Sequence, residues 1–348
     1  YLMVIRSFKD SAGNFIGLDN YLLYFQTPAL SNSISNSFFV AVVSTAIVIC
    51  VAFVYAYALT RTCMRFKGFF KIMAMVPLLS PSLLKAIALV YWFGNQGVLK
   101  ELLFGHSIYG PIGIIMGSVF WTFPHAVLMI STALANSDMR LYEAADTLSA
   151  SKLRTFFTIT LPGARYGLIS ATIVVFILIF TDFGVPKVIG GNYNVLATDI
   201  YKEVIGQQNF EMGAVVSVVL LIPAVLAFGI DRFVTRKQTA LLSARAVPYA
   251  PKPNRWLDNS MLVFCVVVTA LTIAVLGMAQ FAALVKFWPY NLEFTLEHYA
   301  FESEGAGWDN FYNSIVMAGS VAVFGAIVVF TGAFLIDKPR RDHGIRQV

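Results

Sequence analysis

This sequence predicts an all-α, polytopic membrane protein of about seven spans, on three observations. Of its 348 residues, 58% are hydrophobic and only 13% charged, which is more apolar surface than a water-soluble core buries. The apolar residues gather into runs of about 20 or more, the length a helix needs to cross roughly 30 Å of hydrocarbon. The lysines and arginines, finally, are concentrated in alternate loops between those runs.

The runs fall at 34–60, 72–93, 111–135, 166–189, 213–234, 258–285 and 310–336. Residues 1–35 are mixed and polar, with Gly13-Asn14, Gly17 and Pro28, and read as an extramembrane segment of short helices. Of the 25 basic residues, 18 lie in the loops after the first, third, fifth and seventh runs. They begin with Arg61, Arg65, Lys67 and Lys71, continue through the 140–165 and 232–255 loops, and end with Lys338, Arg340, Arg341 and Arg346. Six face the other way, and Lys85 stands inside the second run. Cytoplasmic loops carry the basic excess, so the richer set faces the cytoplasm. The net charge of +6 is thus a record of orientation. It is dispersed over loops and forms no face for nucleic acid.

One polar island interrupts the apolar pattern between the third and fourth runs, Asn136 to Arg165. Asn136, Ser137 and Asp138 offer capping oxygens, and 139–148 holds helix formers without glycine or proline. Ser149-Ala150-Ser151 breaks that helix, and Ser151 caps a second segment from Lys152. Pro162, lacking an amide hydrogen, is expected to end it. A helix, a bend and a second helix result. Ala144 and Ala145 present a low surface for a partner, ringed by Arg140, Glu143, Asp146, Lys152 and Arg154.

Two charges stand near or within spans. Lys85 follows Pro77 and Pro81, whose kinks free backbone carbonyls; it either lines a path or snorkels to a boundary. Asp182, before Gly184 and Pro186, is either a path residue or a helix-end residue. Pro81 and Gly184 complete the candidate path set. Gly113-x-x-x-Gly117 admits close approach of another helix. Cys50, Cys63 and Cys265 have no disulfide or zinc spacing and read as packing residues. His106 and His125 lack a second ligand at helical spacing and read as structural. There is no phosphate-cradling G-x-x-x-x-G-K-[ST], G-x-S-x-G or H-E-x-x-H, so no catalytic residue, metal site or cofactor is expected.

Shifting the chain by 277 residues superposes Asn36-Ser37, Ala41, Phe53, Ala56 and Arg61 on Asn313-Ser314, Ala318, Phe330, Ala333 and Lys338. A second copy of the unit is therefore expected to begin near the end, in parallel orientation. The expected layout is a first unit over 1–235, a charged, proline-rich cytoplasmic linker over 236–257, and a linking span with a truncated second unit over 258–348. The opening on Tyr1, without a signal, gives the expectation that an upstream span is missing.

Glu143-Ala144-Ala145, followed by Ser149 and then Ile159-x-Leu161-Pro162, resembles the E-A-A-x3-G-x9-I-x-L-P signature of ABC importer permeases, with Ser149 where that family usually has glycine. The resemblance implies a transmembrane helical bundle that forms half of a solute pathway. It also implies two cytoplasmic ATP-binding subunits docked on Glu143, Ala144, Ala145, Asp146, Ser149, Ile159, Leu161 and Pro162. An extracytoplasmic solute-binding protein, surrounding lipid and a second permease half, fused in the same polypeptide, complete the implied machine. ATP hydrolysis is then expected in the partner, and the location in a bacterial inner membrane. The stretch 181–201 and the fused layout resemble the branch that handles iron(III) or 2-aminoethylphosphonate, and the reading leans to the phosphonate. A secondary transporter and a structural membrane subunit are the alternative classes.

Overall fold

The computed structural model describes residues 2–239, 247, 249–300 and 307–337. Two compact units divide it, Tyr1–Phe281 and Ala282–Val348. Arg245, Pro248 and the basic residues from Lys338 onward lie outside the described residues.

In the first unit, two short helices, α1 (Leu2–Arg6) and α2 (Asp19–Gln26), precede the long α3 (Pro28–Arg61). Pro28 opens α3 at its first turn, where a missing amide hydrogen costs nothing. The expected second span is not one helix. Its first half, α4 (Lys67–Met75), runs into a tight 3₁₀ turn at Val76–Leu79, and the second half, α5 (Ser82–Phe93), leaves at a bend of 99°. Pro81 holds an extended conformation just before α5 and cannot continue the preceding helical ladder. Next comes α6 (Pro111–Ala135). The guanidinium of Arg61, the last residue of α3, donates to the carbonyl of Leu134 near the end of α6 at 2.8 Å. These two spans therefore finish at the same membrane face, and the bent α4–α5 pair has to carry the chain back between them.

The polar island folds as α7 (Met139–Thr147), a bend, α8 (Lys152–Thr155), a π-turn over Phe156–Thr160 and α9 (Leu161–Phe180). Two expectations are corrected here. Pro162 does not end the second segment; it sits in the first turn of α9, and the helical path runs from Lys152 to Phe180. A proline removes one hydrogen bond and crowds the carbonyl four residues back, and the widened π-turn lies just where that strain falls. The fourth span also stops at Phe180 rather than near 189. The Asp182 carboxylate accepts hydrogen bonds from the amides of Gly184 at 3.3 Å and Val185 at 3.0 Å, which starts a separate short helix, α10 (Gly184–Ile189). There follow α11 (Leu196–Tyr201), α12 (Phe210–Thr239) and α13 (Arg255–Ala283).

Lipid tails are as apolar as leucine, so spans associate through close packing of small residues. Ala41, Ala52, Ala56 and Ala58 of α3 are fully buried. The Gly113/Gly117 pair is used as expected, by α10: a Cβ on Gly117 would lie 2.6 Å from Val185 Cγ1. The linking span α13, placed with the second unit on sequence grounds, packs into the first. Thr269 shares a hydrogen bond with the buried hydroxyl of Tyr55 at 3.2 Å, and Trp92 Nε1 donates to the carbonyl of Ala274 at 3.0 Å. Of the three cysteines only Cys265 is buried.

The second unit holds a hairpin the sequence did not announce, β1 (Val285–Phe287) and β2 (Asn291–Phe294), and the helix α14 (Gly307–Asp337). Lys286 and Glu293 pair across the hairpin at 2.8 Å. A displacement of 277 residues carries α3 onto 305–338, nearly the bounds of α14. It carries the isolated Lys9–Phe15 bridge onto 286 and 292, one in each strand of the hairpin.

Candidate functional site

The coupling-loop candidate is built from both ends of α7. At the start, Asp138 caps the helix by accepting from the amide of Arg140 at 3.1 Å. At the end, the amide of Ser149 donates to the carbonyl of Asp146 at 3.0 Å and that of Ala150 to the carbonyl of Ala145 at 2.9 Å. Those two bonds form a Schellman motif, whose closing residue takes the left-handed conformation and is usually glycine. Ser149 occupies that position at φ +55°. The resemblance put a glycine there, and the backbone explains why. Ser151 then caps α8, accepting from the amide of Arg154 at 3.3 Å.

The helix has two faces. Glu143, Ala144, Asp146 and Ser149 are exposed, together with Leu141 and Leu148. Ala145 and Tyr142 turn inward, so the low surface foreseen from the alanine pair is supplied outwardly by Ala144 alone. Three residues separate Tyr142 from Ala145, which places both on one side of the helix. The Tyr142 hydroxyl meets Thr160 Oγ1 at 3.1 Å, tying α7 to the π-turn before α9. Ile159 and Leu161 are half-buried there, and Pro162 is exposed.

The second candidate group is brought together by the bend between α4 and α5, but its charges are turned inward. Lys85 is 1% exposed. Its ammonium donates to the carbonyls of Pro77 at 2.8 Å, Ser80 at 2.7 Å and Pro81 at 3.4 Å, with the Trp121 ring centroid 5.8 Å away. All three ammonium hydrogens are thus directed at carbonyls of the broken turn, and Lys85 neither snorkels nor lines open space. Asp182 accepts from Ser82 Oγ at 2.8 Å besides the two amides that begin α10, so one carboxylate joins α5 to α10. Gly184 lies against this contact: a Cβ there would stand 2.3 Å from Ser82 Oγ. Pro81 is exposed.

Elsewhere, a groove of about 860 Å³ is lined by α3, α9 and α12, among others by Phe38, Phe176 and Pro223, and contains none of these candidates. No group of three or more potential metal ligands occurs among the described residues. Sequence reasoning missed Arg61 as a site residue; it is 5% exposed and was read as a loop charge and a repeat position. Asp199, 2% exposed in α11, was missed as well, its i+4 spacing to Glu203 being the available signal.

Residues 64–240, just over half of the chain, match the family described as binding-protein-dependent transport system inner membrane component. The chain belongs to that family. It is an inner-membrane protein, and the basic loops place α7 of this inner membrane component on the cytoplasmic side. Among curated relatives, the putative ferric transport system permease protein FbpB 1 of Haemophilus influenzae is 27% identical over 89% of this chain and 50% of its own length. The ferric transport system permease protein FbpB of Actinobacillus pleuropneumoniae is 27% identical over 89% of this chain and 46% of its own. The chain thus spans about half the length of these relatives. The molybdenum transport system permease protein ModB of Azotobacter vinelandii is 32% identical over 44% of the chain and 69% of its own length. A crystal structure of a bacterial ABC transporter involved in alginate import aligns with a TM-score of 0.52 at 15% identity, covering 70% of this chain and 89% of that one. That likeness concerns the fold.

Proposed function

We propose that this protein is the transmembrane permease of an ATP-driven importer, and that α7 is the handle gripped by a separate ATPase subunit. The observation that carries this reading is the geometry of α7: capped at both ends, pinned on its inner face, with Glu143, Ala144 and Asp146 left outward. An exposed, rigid, cytoplasmic helix transmits force, because a partner's push moves it as one body. The helical path from Lys152 to Phe180 then carries that motion across the membrane. Two ATP-binding subunits, an extracytoplasmic solute-binding protein and a second permease half complete the machine. The correspondence of α14 with α3 under the 277-residue shift supports a half fused in the same polypeptide, which would make the second coupling loop fall near 420.

For the substrate we propose ferric iron. The two ferric permease relatives match nearly the whole chain, which favours iron over the phosphonate to which the sequence reading leaned. Lys85, Pro81, Asp182 and Gly184 then shape the membrane portion of the pathway through the bend they hold.

Uptake of radiolabelled iron(III) by cells or vesicles bearing the intact transporter tests both statements. Glu143→Lys should reduce uptake by at least tenfold while the permease still reaches the membrane in normal amount, and normal uptake would remove α7 from the coupling role. Excess 2-aminoethylphosphonate should leave iron uptake unchanged; absence of iron uptake together with uptake of radiolabelled 2-aminoethylphosphonate would return the assignment to the phosphonate.

A further inference from the structure

The segment between α12 and α13 does more than connect. Its described residues return to α7 at three points, the start of the helix, Tyr142 and Asp146. Val247 accepts the amide of Met139 at 2.9 Å through its carbonyl, and its own amide donates to Asp138 Oδ1 at 3.3 Å. The first-turn amides of a helix have no partner within it, so the linker completes the cap that Asp138 begins. Two residues on, the Tyr249 ring packs against Tyr142 with centroids 4.6 Å apart. The Arg61 guanidinium lies 4.1 Å from the Tyr249 centroid and 5.0 Å from that of Tyr142. Lys252 reaches Asp146 at 2.6 Å, at the far end of α7. The linker then closes on the end of α3: Asp258 accepts the amide of Cys63 at 2.7 Å and that of Asn254 at 3.0 Å, and Cys63 Sγ donates to the carbonyl of Pro251 at 3.3 Å.

Arg61 is the centre of this arrangement. It is buried and forms no ion pair among the described residues. A buried guanidinium without a carboxylate needs other compensation. The two tyrosine faces supply it, along with the Leu134 carbonyl and Ser137 Oγ, the latter at 2.6 Å. One side chain thus joins α3, the end of α6, the inner face of α7 and the linker. Tyr142, where Arg61 meets α7, lies on the buried side of the helix, away from the exposed Glu143 and Ala144, whereas Lys252 reaches the exposed Asp146.

We infer that the linker around Tyr249 is a strap of the coupling apparatus, and that Arg61 and Tyr249 are positioning residues that make α3 and α13 follow α7 when α7 is moved. This rests on the reading of α7 as the ATPase handle. Without the strap, α7 is tied to the spans by its covalent ends, by Tyr142–Thr160 and by the approach of Arg61 to Tyr142. With it, Tyr249 backs Arg61 on its other side, and a displacement of α7 is imposed on α3 through that stack and on α13 through Asn254 and Asp258. The sequence reading treated this stretch as a plain charged linker because nothing in its composition shows where it docks.

The test uses the full transporter with its ATPase and solute-binding protein in vesicles, measuring solute taken up per ATP hydrolysed. Tyr249→Ala should lower that ratio at least fivefold while the ATPase subunit still co-purifies and basal hydrolysis stays within twofold. Tyr249→Phe, which keeps the ring, should restore the ratio to within twofold. Arg61→Lys, which keeps charge but loses the planar stack, should behave like Tyr249→Ala. Should Tyr249→Ala accumulate poorly, hydrogen exchange of the 139–141 amides in the Lys252→Ala permease takes its place, with at least threefold acceleration expected. An unchanged transport ratio in Tyr249→Ala, or unchanged exchange in Lys252→Ala, overturns the strap. Glu143→Lys run in parallel separates the two ideas. If it uncouples while Tyr249→Ala does not, the strap alone fails; if neither uncouples, the handle itself fails and the strap with it.

Discussion

The α7 loop and the bend at Lys85 are two polar interruptions of a largely apolar chain, and they dispose of their charges in opposite ways. At the bend the Lys85 ammonium is spent on three carbonyls and the Asp182 carboxylate on Ser82 and two amides. On α7, Glu143 and its neighbours are left exposed. The difference teaches that a charge satisfied from within shapes the backbone, whereas a charge held outward on a rigid element is available to a partner. Substitutions at the two places should therefore fail differently.

The largest effect is expected at Lys85. Lys85→Ala strips three buried or part-buried carbonyls of their donor, costing about 3 kcal/mol. Thermal unfolding of the detergent-solubilised protein should show a lower Tm with unchanged substrate preference. A normal Tm with altered preference would instead return Lys85 to the substrate path and erase the contrast. Gly184→Ala forces a methyl against Ser82 Oγ and so attacks the second bond of the bend, at a cost of about 1–2 kcal/mol read the same way. No loss would show that α5 and α10 shift without penalty.

At the other region the prediction reverses sign. A non-glycine residue in the left-handed conformation costs roughly 1 kcal/mol, so Ser149→Gly should raise Tm by removing that strain at the Schellman bend. A fall in Tm would mean that the Ser149 side chain contributes more than its backbone costs.

The smallest effect concerns Asp199, which extends the comparison to a buried acid outside the spans. Burial pushes its carboxyl up to about 6, with Glu203 adding to the rise and Ser33 and Lys202 opposing it. Its Oδ2 has no hydrogen-bond partner among the described residues. The native state therefore holds a proton that the unfolded chain releases near 3.8, and the stability this adds is lost as pH rises through about 6. Tm should fall as pH rises from about 4 to about 6, the interval between those two values, and Asp199→Asn should flatten the slope. An equal slope in both proteins would assign it to another group.

How much of this was legible in the sequence varied with the range of the forces involved. The caps at Asp138 and Ser151 and the break after Leu148 follow from residues a few positions apart, and the structure has them where they were read. The apolar runs located six long helices and the bent pair over 67–93, because chain length and hydrocarbon thickness largely decide that, although the fourth helix stops at Phe180. The bend at Pro81 was misread as a mere kink, since its angle depends on Lys85 reaching back to Ser80 and on Asp182, 100 residues on, receiving Ser82. Pro162 was misread because the π-turn before it relieves a clash that local rules treat as final. The placement of Arg61 between Tyr142 and Tyr249 was invisible, since three distant segments have to fold before those rings meet.

The continuous path from Lys152 to Phe180 has a mechanical consequence of its own. Its 29 residues make a rod of about 43 Å at 1.5 Å per residue. Pivoting such a rod by about 5° at its cytoplasmic elbow sweeps the opposite tip through roughly 4 Å, more than the diameter of a water molecule. A modest twist applied at one end is thereby amplified into an excursion of that size at the other, with no part of the rod needing to melt.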